Sequence, residues 1–488
     1  VIQEPTPVTS TDTRAPSVPS SPATHIDLYQ LTSLVPHWDA GKASAPCWMS
    51  FFSRRLPRTL SGDSARPYIV WAGLRRCLEH LHGAHFTEAH LETLTQHPIL
   101  GPALRARPAL IEALKGWRFT GEVWGPEEGT LIWANPAEGD FAGDLQPSAS
   151  LPYLQVRCDL LTAKLIETPL LSIINHMSMV ASKAAQICEA AGERAIFEFG
   201  SRRTHIDAAV DAAYAAYLGG TVATSNVEAH HRYGVPVVGT MDHFAVQSWE
   251  QEGVSVAETE RAFFKAFYET YPEHASLLID TYDPFGAETG IRNAVRATEG
   301  ALKGIRLDSM LSVETLKRAR ALLDELGATD AKIIASGGVD LELLTALQEA
   351  PVDAFGVGER LVSSADAPVG VGAVGKLSSI DGKPTMKQAK GTGKATLPGP
   401  LQCYRSEEGD RLALLSPEAP SGGAQAGERA MVKRLWSAGR EPLPKLDLND
   451  ARDHVKAQRA SLRSTGSTAR AVRLDPSLID LINQLAAR

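Results

Sequence analysis

The chain has 488 residues, too many for one ordinary core, so two or three domains are expected. Its 43% hydrophobic and 22% charged content is that of a globular protein, and a net charge of −8 excludes a general nucleic-acid binder, which needs a basic face to neutralise phosphates. The cysteines (Cys47, Cys77, Cys158, Cys188 and Cys403) are odd in number and form no CxxC pair, which argues against a disulfide framework or zinc site and for a reducing cytoplasm; no run of about 18 apolar residues marks a membrane span.

Residues 1–24, rich in Ser, Thr and Pro and lacking the apolar core of a secretory signal, read as a disordered tail. Residues 25–150 carry Trp, Pro and short β-like runs. A helix is predicted over Leu171–Ala190, where Ile174, Met177, Ala181, Ala184 and Cys188 step by three and four along one core-facing side. From about 195 to 358, strand-like and helix-like runs alternate. The predicted strands are Ala195–Phe199, Thr221–Thr224, Pro236–Gly239, Leu277–Asp280, Ile305–Asp308, Lys332–Ala335 and Ala354–Val357, separated mostly by amphipathic helices such as Val313–Leu326. Such alternation means parallel strands with covering helices, and these seven fall one short of a (β/α)8 barrel. The barrel domain is assigned to 151–371. Residues 372–488 lack the alternation and are expected to join 25–150 in one domain, closing with a helix over Pro476–Ala487. Lys390–Lys394 (KGTGK) lacks the GxxxxGK[ST] spacing and reads as a surface turn.

Reactive side chains collect where the predicted strands end, the place where α/β barrels keep their chemistry. ASGGVD (335–340) and FGVGERLV (355–362) are glycine turns in successive βα units, suited to cradling a phosphate on backbone N–H groups; Ser336, Gly337, Gly338, Gly356 and Gly358 are the candidates. FEFGSRRTH (197–205) puts Phe199, Arg202 and Arg203 at one strand end. Taken alone, that Phe reads as core and the arginine pair equally as solvated surface. Arg306 lies inside the strand-like GIRLDS (304–309), where a guanidinium is costly unless an anion meets it. Asp280 and Asp283 in LIDTYD, with Asp308 beyond Arg306, are carboxylates that would hold Mg2+ through water or orient ribose hydroxyls. His243, in GTMDHFAVQSW (239–249), read alone is a hydrogen-bonded structural histidine.

These segments, with ATSN at 223–226 and HIDLYQLTS near the N-terminus, resemble the nicotinate phosphoribosyltransferase family over nearly the whole chain. The resemblance implies an α/β fold: an irregular (β/α) barrel of the type II phosphoribosyltransferase kind with a second α+β domain formed from N- and C-terminal parts. It implies transfer of phosphoribose from phosphoribosyl pyrophosphate to nicotinate, giving nicotinate mononucleotide and pyrophosphate for NAD salvage, with ATP as co-substrate and Mg2+ as cofactor. Arg202 and Arg306 fall on motif arginines of the substrate pocket, with Arg203 beside them. Phe199 would stack on the pyridine ring, and Tyr29 of Asp27-Leu28-Tyr29, donated by the other subunit of a cytoplasmic homodimer, would cover the opposite face. The glycine turns would take the ribose 5-phosphate. His243 matches the family's phospho-acceptor, with His205 the competing nucleophile, and Asp280 and Asp308 join it as catalytic residues. Breaking the bond from ribose to pyrophosphate separates charge, so catalysis is mainly electrostatic, and the unprotonated pyridine nitrogen needs no base.

Two positions depart from the family pattern. Asp242 stands where members carry a small residue, and Met310-Leu311 replaces Gly-Asp in the segment RLDSGD. The second change keeps open a non-catalytic relative that binds pyridine nucleotides as a sensor. Nicotinamide and quinolinate are the alternative acceptors. ATSN lacks the acidic residue of nicotinamide-using relatives, and the quinolinate enzyme is shorter and needs more cationic side chains for two carboxylates.

Overall fold

The computed structural model describes residues 22–57, 67–363, 371–466 and 469–488, so the expected tail lies outside them up to residue 21. Contacts divide the described residues into a barrel unit, 183–363, and a terminal unit built from those up to 182 and from 371 onward. The division falls inside the helix Leu160–Ala191 rather than at 151. Its physical reason is pairing: Leu154–Asp159 runs antiparallel to Pro46–Ser53, and Ser178 and Ser182 on the helix accept the Ala72 and Val70 N–H groups at 3.1 and 2.9 Å.

The barrel unit is a parallel sheet of β1 (Ala195–Glu198), β2 (Ala223–Thr224), β3 (Ser276–Leu278), β4 (Gly304–Leu307), β5 (Lys332–Ser336) and β6 (Ala354–Val357). Their order is β3-β4-β5-β6-β1-β2, every neighbour parallel. The strands read as nearly continuous apolar runs because helices cover the sheet: Ile196, Ile305, Leu307, Ile333, Ala335, Phe355 and Val357 are all buried. The helices include Ile206–Gly219, Val256–Thr270, Gly290–Ala297 and Val313–Glu325, the last capped by Ser312.

Pro236–Gly239, expected as a strand, makes a single parallel bridge, Val237 to Thr224, with Thr224 N–H donating to Pro236 O and Val238 N–H to Thr224 O, both at 2.9 Å. A proline has no N–H to extend a ladder. Among the described residues this segment does not pair with β3, so the barrel stays open along a seam between them.

In the terminal unit the two ends of the chain share one antiparallel sheet. Its order is Lys383–Pro384, Ala373–Ile380, Pro46–Ser53, Leu154–Asp159, Glu122–Gly125, Lys433–Ser437. A four-stranded sheet (Arg429–Ala430, Leu401–Arg405, Gly409–Leu414, Ala471–Leu474), two two-stranded sheets and helices including the final Pro476–Ala486 also belong to this unit. Residues 390–393 form an exposed turn. Among the described residues no helix is long and apolar enough to cross a membrane.

Candidate active site at the strand ends

Past the end of β1 the chain turns tightly. Phe199 N–H donates to Val357 O at 2.9 Å, and Arg203 N–H closes the turn on Gly200 O at 2.8 Å. The Phe199 ring lies nearly parallel to Phe197, centroids 6.0 Å apart and planes 13° apart. It occupies space that Gly356 leaves free, since a Cβ at that position would overlap the ring. Phe199 is thus half-buried at the strand end rather than core, and Arg202 and Arg203 project into solvent beside it.

Arg306 lies within β4, facing polar groups at the strand ends. Its Nη1 donates to Thr240 Oγ1 at 3.0 Å across the seam, its buried Nε has no partner, and it makes no ion pair among the described residues. Burial lowers its pKa, with the nearby Asp308, Asp280 and Asp242 acting in the opposite sense and Arg202 adding to the depression. Three other expected residues, Arg202, Asp280 and Asp308, are therefore brought within electrostatic reach of Arg306.

The carboxylates are tied down by the next strands. Asp280 Oδ2 accepts from Asp308 N–H at 3.0 Å and Ser309 Oγ at 2.6 Å, while its buried Oδ1 has no partner. Asp308 Oδ1 accepts from the Ser336 hydroxyl. Gly337 (φ +91°) and Gly338 (φ +68°) turn the chain after β5 in a left-handed conformation, and a Cβ on Gly337 would overlap the Asp308 carbonyl. The Gly338 and Val339 N–H groups donate to nothing among the described residues, which leaves them available to an anion. Gly358 caps the four-residue helix Glu359–Val362 beyond β6. Asp283 is engaged within its own loop instead, where its Oδ1 accepts from Phe285 N–H at 2.9 Å and shapes the chain after β3. Met310 is 57% exposed and has φ +52°, a left-handed conformation that favours glycine.

His243 starts the short helix His243–Gln247, and its Nδ1 shares a 3.1 Å hydrogen bond with Thr281 Oγ1, again across the seam. The Asp242 carboxylate turns back to accept from Ala245 N–H at 2.7 Å as the helix cap. His205 caps Ile206–Gly219 through Asp207 N–H at 3.3 Å and is exposed. Tyr29 belongs to the terminal unit, on helix Leu28–Asp39, with 56% of its surface exposed. Sequence reasoning passed over Glu198, Thr240 and Thr281. Each lies inside a segment singled out for a neighbour, and the signal was a polar residue at a strand end, too common to stand out alone.

A family model described as the nicotinate phosphoribosyltransferase N-terminal domain matches residues 24–175, and one described as the nicotinate phosphoribosyltransferase family matches 195–434. A nicotinate phosphoribosyltransferase of Mycobacterium tuberculosis is 39% identical over 363 residues, covering 74% of each chain. One from Bacillus subtilis is 36% identical over 409 residues, 80% of this chain and 76% of the relative. Among solved structures, the human nicotinic acid phosphoribosyltransferase superposes with a TM-score of 0.72 at 26% identity, covering 94% of this chain and 99% of that one.

Proposed function

Since the chain belongs to the nicotinate phosphoribosyltransferase family and joins nicotinate to phosphoribosyl pyrophosphate, yielding nicotinate mononucleotide for NAD salvage, we propose that the strand-end cluster around Arg306 is its active site. The observation that carries this is the half-buried Arg306 guanidinium, whose buried Nε has no partner and which makes no ion pair among the described residues although Asp308, Asp280 and Asp242 lie nearby. A ring carboxylate supplies the missing anion, and its planar shape suits a guanidinium fork. Arg202 adds a second positive charge, with Arg203 at the rim.

Phe199 offers one face to the pyridine ring. We assign the other face to Tyr29 of a second copy, in keeping with its exposed ring. The 5-phosphate sits on the turn at Gly337 and Gly338, beyond Ser336 and beside Gly358, where unused N–H groups at Gly338 and Val339 favour an anion. Gly356 lies within paired β6 and makes room for the Phe199 ring instead of forming a turn. Asp308 and Asp280 face the ribose and stabilise the positive charge that develops there as pyrophosphate departs.

The carboxylates fit Mg2+ of the kind held by one or two protein oxygens, several waters and substrate phosphates: Asp280 Oδ1 is buried and unengaged. When bound, the ion would neutralise pyrophosphate charge. Asp283, three residues further along the same loop, would contribute through water. His243 is half-buried at the same strand-end level with its Nδ1 bonded to Thr281, leaving Nε2 as the nitrogen to accept phosphate from ATP. Cysteines that form no disulfide among the described residues are in keeping with a cytoplasmic location.

Pyrophosphate release from phosphoribosyl pyrophosphate, followed with nicotinate, nicotinamide or quinolinate and with or without ATP, tests the reading. Nicotinate alone should support turnover, faster with ATP. Equal rates with nicotinamide would mean that Arg306 does not read a carboxylate, and no release with any acceptor would favour the sensor alternative.

A further inference from the structure

Glu198 ends β1 with only 1% of its surface exposed, and no cation pairs with it among the described residues. Both carboxyl oxygens are nevertheless engaged: Oε1 accepts from Gly200 N–H and Oε2 from the Thr224 hydroxyl at 2.5 Å. Thr224 Oγ1 in turn accepts Asn226 N–H at 3.0 Å, and Asn226 Nδ2 donates to Ser201 Oγ at 3.1 Å. The chain of bonds thus leaves the FGSRR turn at Gly200, passes through the end of β2, and returns to the same turn at Ser201. The turn has little slack, because a Cβ on Gly200 would overlap both Val362 and Glu198 itself.

Burial pushes the Glu198 carboxyl up, so this group sits there at a cost that an apolar residue would avoid. The cost is explicable if the turn must be held in one geometry. An acid supplies two acceptor oxygens to the N–H and the hydroxyl that point at it, which no apolar side chain does.

We propose that Glu198 is a positioning residue for the transfer reaction: it fixes the Gly200–Arg203 turn and, through it, the Phe199 ring and the Arg202 guanidinium that receive nicotinate. Glu198 acts through these neighbours rather than by touching substrate. The inference rests on the assignment of Phe199 and Arg202 to the acceptor pocket.

Steady-state kinetics on the full chain, varying nicotinate and phosphoribosyl pyrophosphate separately, test it with Glu198→Ala, Glu198→Gln and Thr224→Val. Stranding the Gly200 N–H in Glu198→Ala should raise the nicotinate KM about 5- to 150-fold. The KM for phosphoribosyl pyrophosphate and kcat should stay close to wild type, because the Gly337–Gly338 turn and Asp308 stand on other strands. Glu198→Gln should recover most of the loss, since its amide oxygen still accepts from Gly200 and the Thr224 hydroxyl turns to accept from the amide. Thr224→Val should move the nicotinate KM in the same direction by less. A uniform loss across both KM values and kcat in Glu198→Ala overturns the proposal, as does an unchanged nicotinate KM. Should Glu198→Ala not fold, an unchanged nicotinate KM in Thr224→Val overturns it instead. Failure of the pocket assignment looks different: Phe199→Ala and Arg202→Ala would then leave nicotinate KM untouched.

Discussion

Replacing Arg306 with Met keeps an unbranched stem and deletes the guanidinium, which sets two effects against each other in the unliganded protein. The bond to Thr240 is lost, and a hydrogen bond from a charged donor is worth about 1.5–3 kcal/mol. Against this, a cation with an unpartnered buried Nε no longer has to be kept from water, a penalty of order several kcal/mol per buried ion, from which the lost attraction of Asp308, Asp280 and Asp242 is subtracted. The terms nearly cancel, so the urea midpoint of Arg306→Met should equal or exceed that of wild type. Ligand binding offers no such compensation. A carboxylate deprived of its desolvated partner loses about 2–5 kcal/mol, or roughly 30- to 5,000-fold in affinity. Wild-type unfolding should shift with nicotinate as RT ln(1 + [L]/Kd), and the variant should show no shift at the same concentrations. A variant less stable by more than about 2 kcal/mol without ligand, yet still stabilised by nicotinate as wild type is, would refute the reasoning and make Arg306 a structural residue.

His243→Ala should abolish an acid-labile, base-stable label transferred from γ-labelled ATP while slow ATP-independent transfer persists; label that instead disappears with His205→Ala would reassign the acceptor. Met310→Gly should raise the urea midpoint by the equivalent of about 0.5–1 kcal/mol, the left-handed penalty less the added chain entropy, whereas Met310→Ala should not, since alanine keeps the strained φ. Met310→Gly combined with Leu311→Asp should raise kcat/KM for phosphoribosyl pyrophosphate about 5- to 150-fold if an acidic contact is missing there, and no gain would mean that Asp280 or Asp283 already supplies it. The carboxyl of Glu260, raised to about 7 by burial, stays protonated in the native state where the unfolded chain has ionised it. Its contribution to stability is therefore complete below about pH 4.5 and is lost as pH rises through about 7, by about 2–3 kcal/mol. Glu260→Gln should flatten that part of the urea-midpoint profile, and an unaltered slope would place the titration elsewhere.

Strand alternation and glycine turns made the barrel unit legible because each strand is buried on both faces and ends in residues with special backbone needs. Gly337 and Gly338 illustrate this: their left-handed φ values are what the sequence pattern requires of them. Pro236–Gly239 was harder, since an apolar run looks the same whether it makes a full ladder or a single bridge. The long helix was cut short for the opposite reason. The apolar spacing placed its start at Leu171, yet the helix runs from Leu160 through Pro169, where burial of Leu165, Ile166 and Leu170 outweighs the lost hydrogen bond. At the site, residue types announced Arg306 and the carboxylates. Their partners Thr240, Thr281 and Glu198 acquire meaning only once distant strand ends meet, because a threonine or a glutamate at a strand end carries no information about what lies across from it.

The open seam gives the enzyme a line held by side chains as well as an incomplete barrel. Across it, Thr240 meets Arg306 and Thr281 meets His243, side chain to side chain. A third bond joins the loops of His243 and Thr281, Tyr282 OH donating to Glu250 Oε1 at 2.6 Å, so the gap is bridged by side chains where a strand ladder would otherwise run. Thr281 and His243 flank the gap itself, whereas Arg306 stands one strand further in, on β4, so the Thr240 bond reaches past the open edge and places both assigned groups beside the line where the sheet is left unclosed among the described residues.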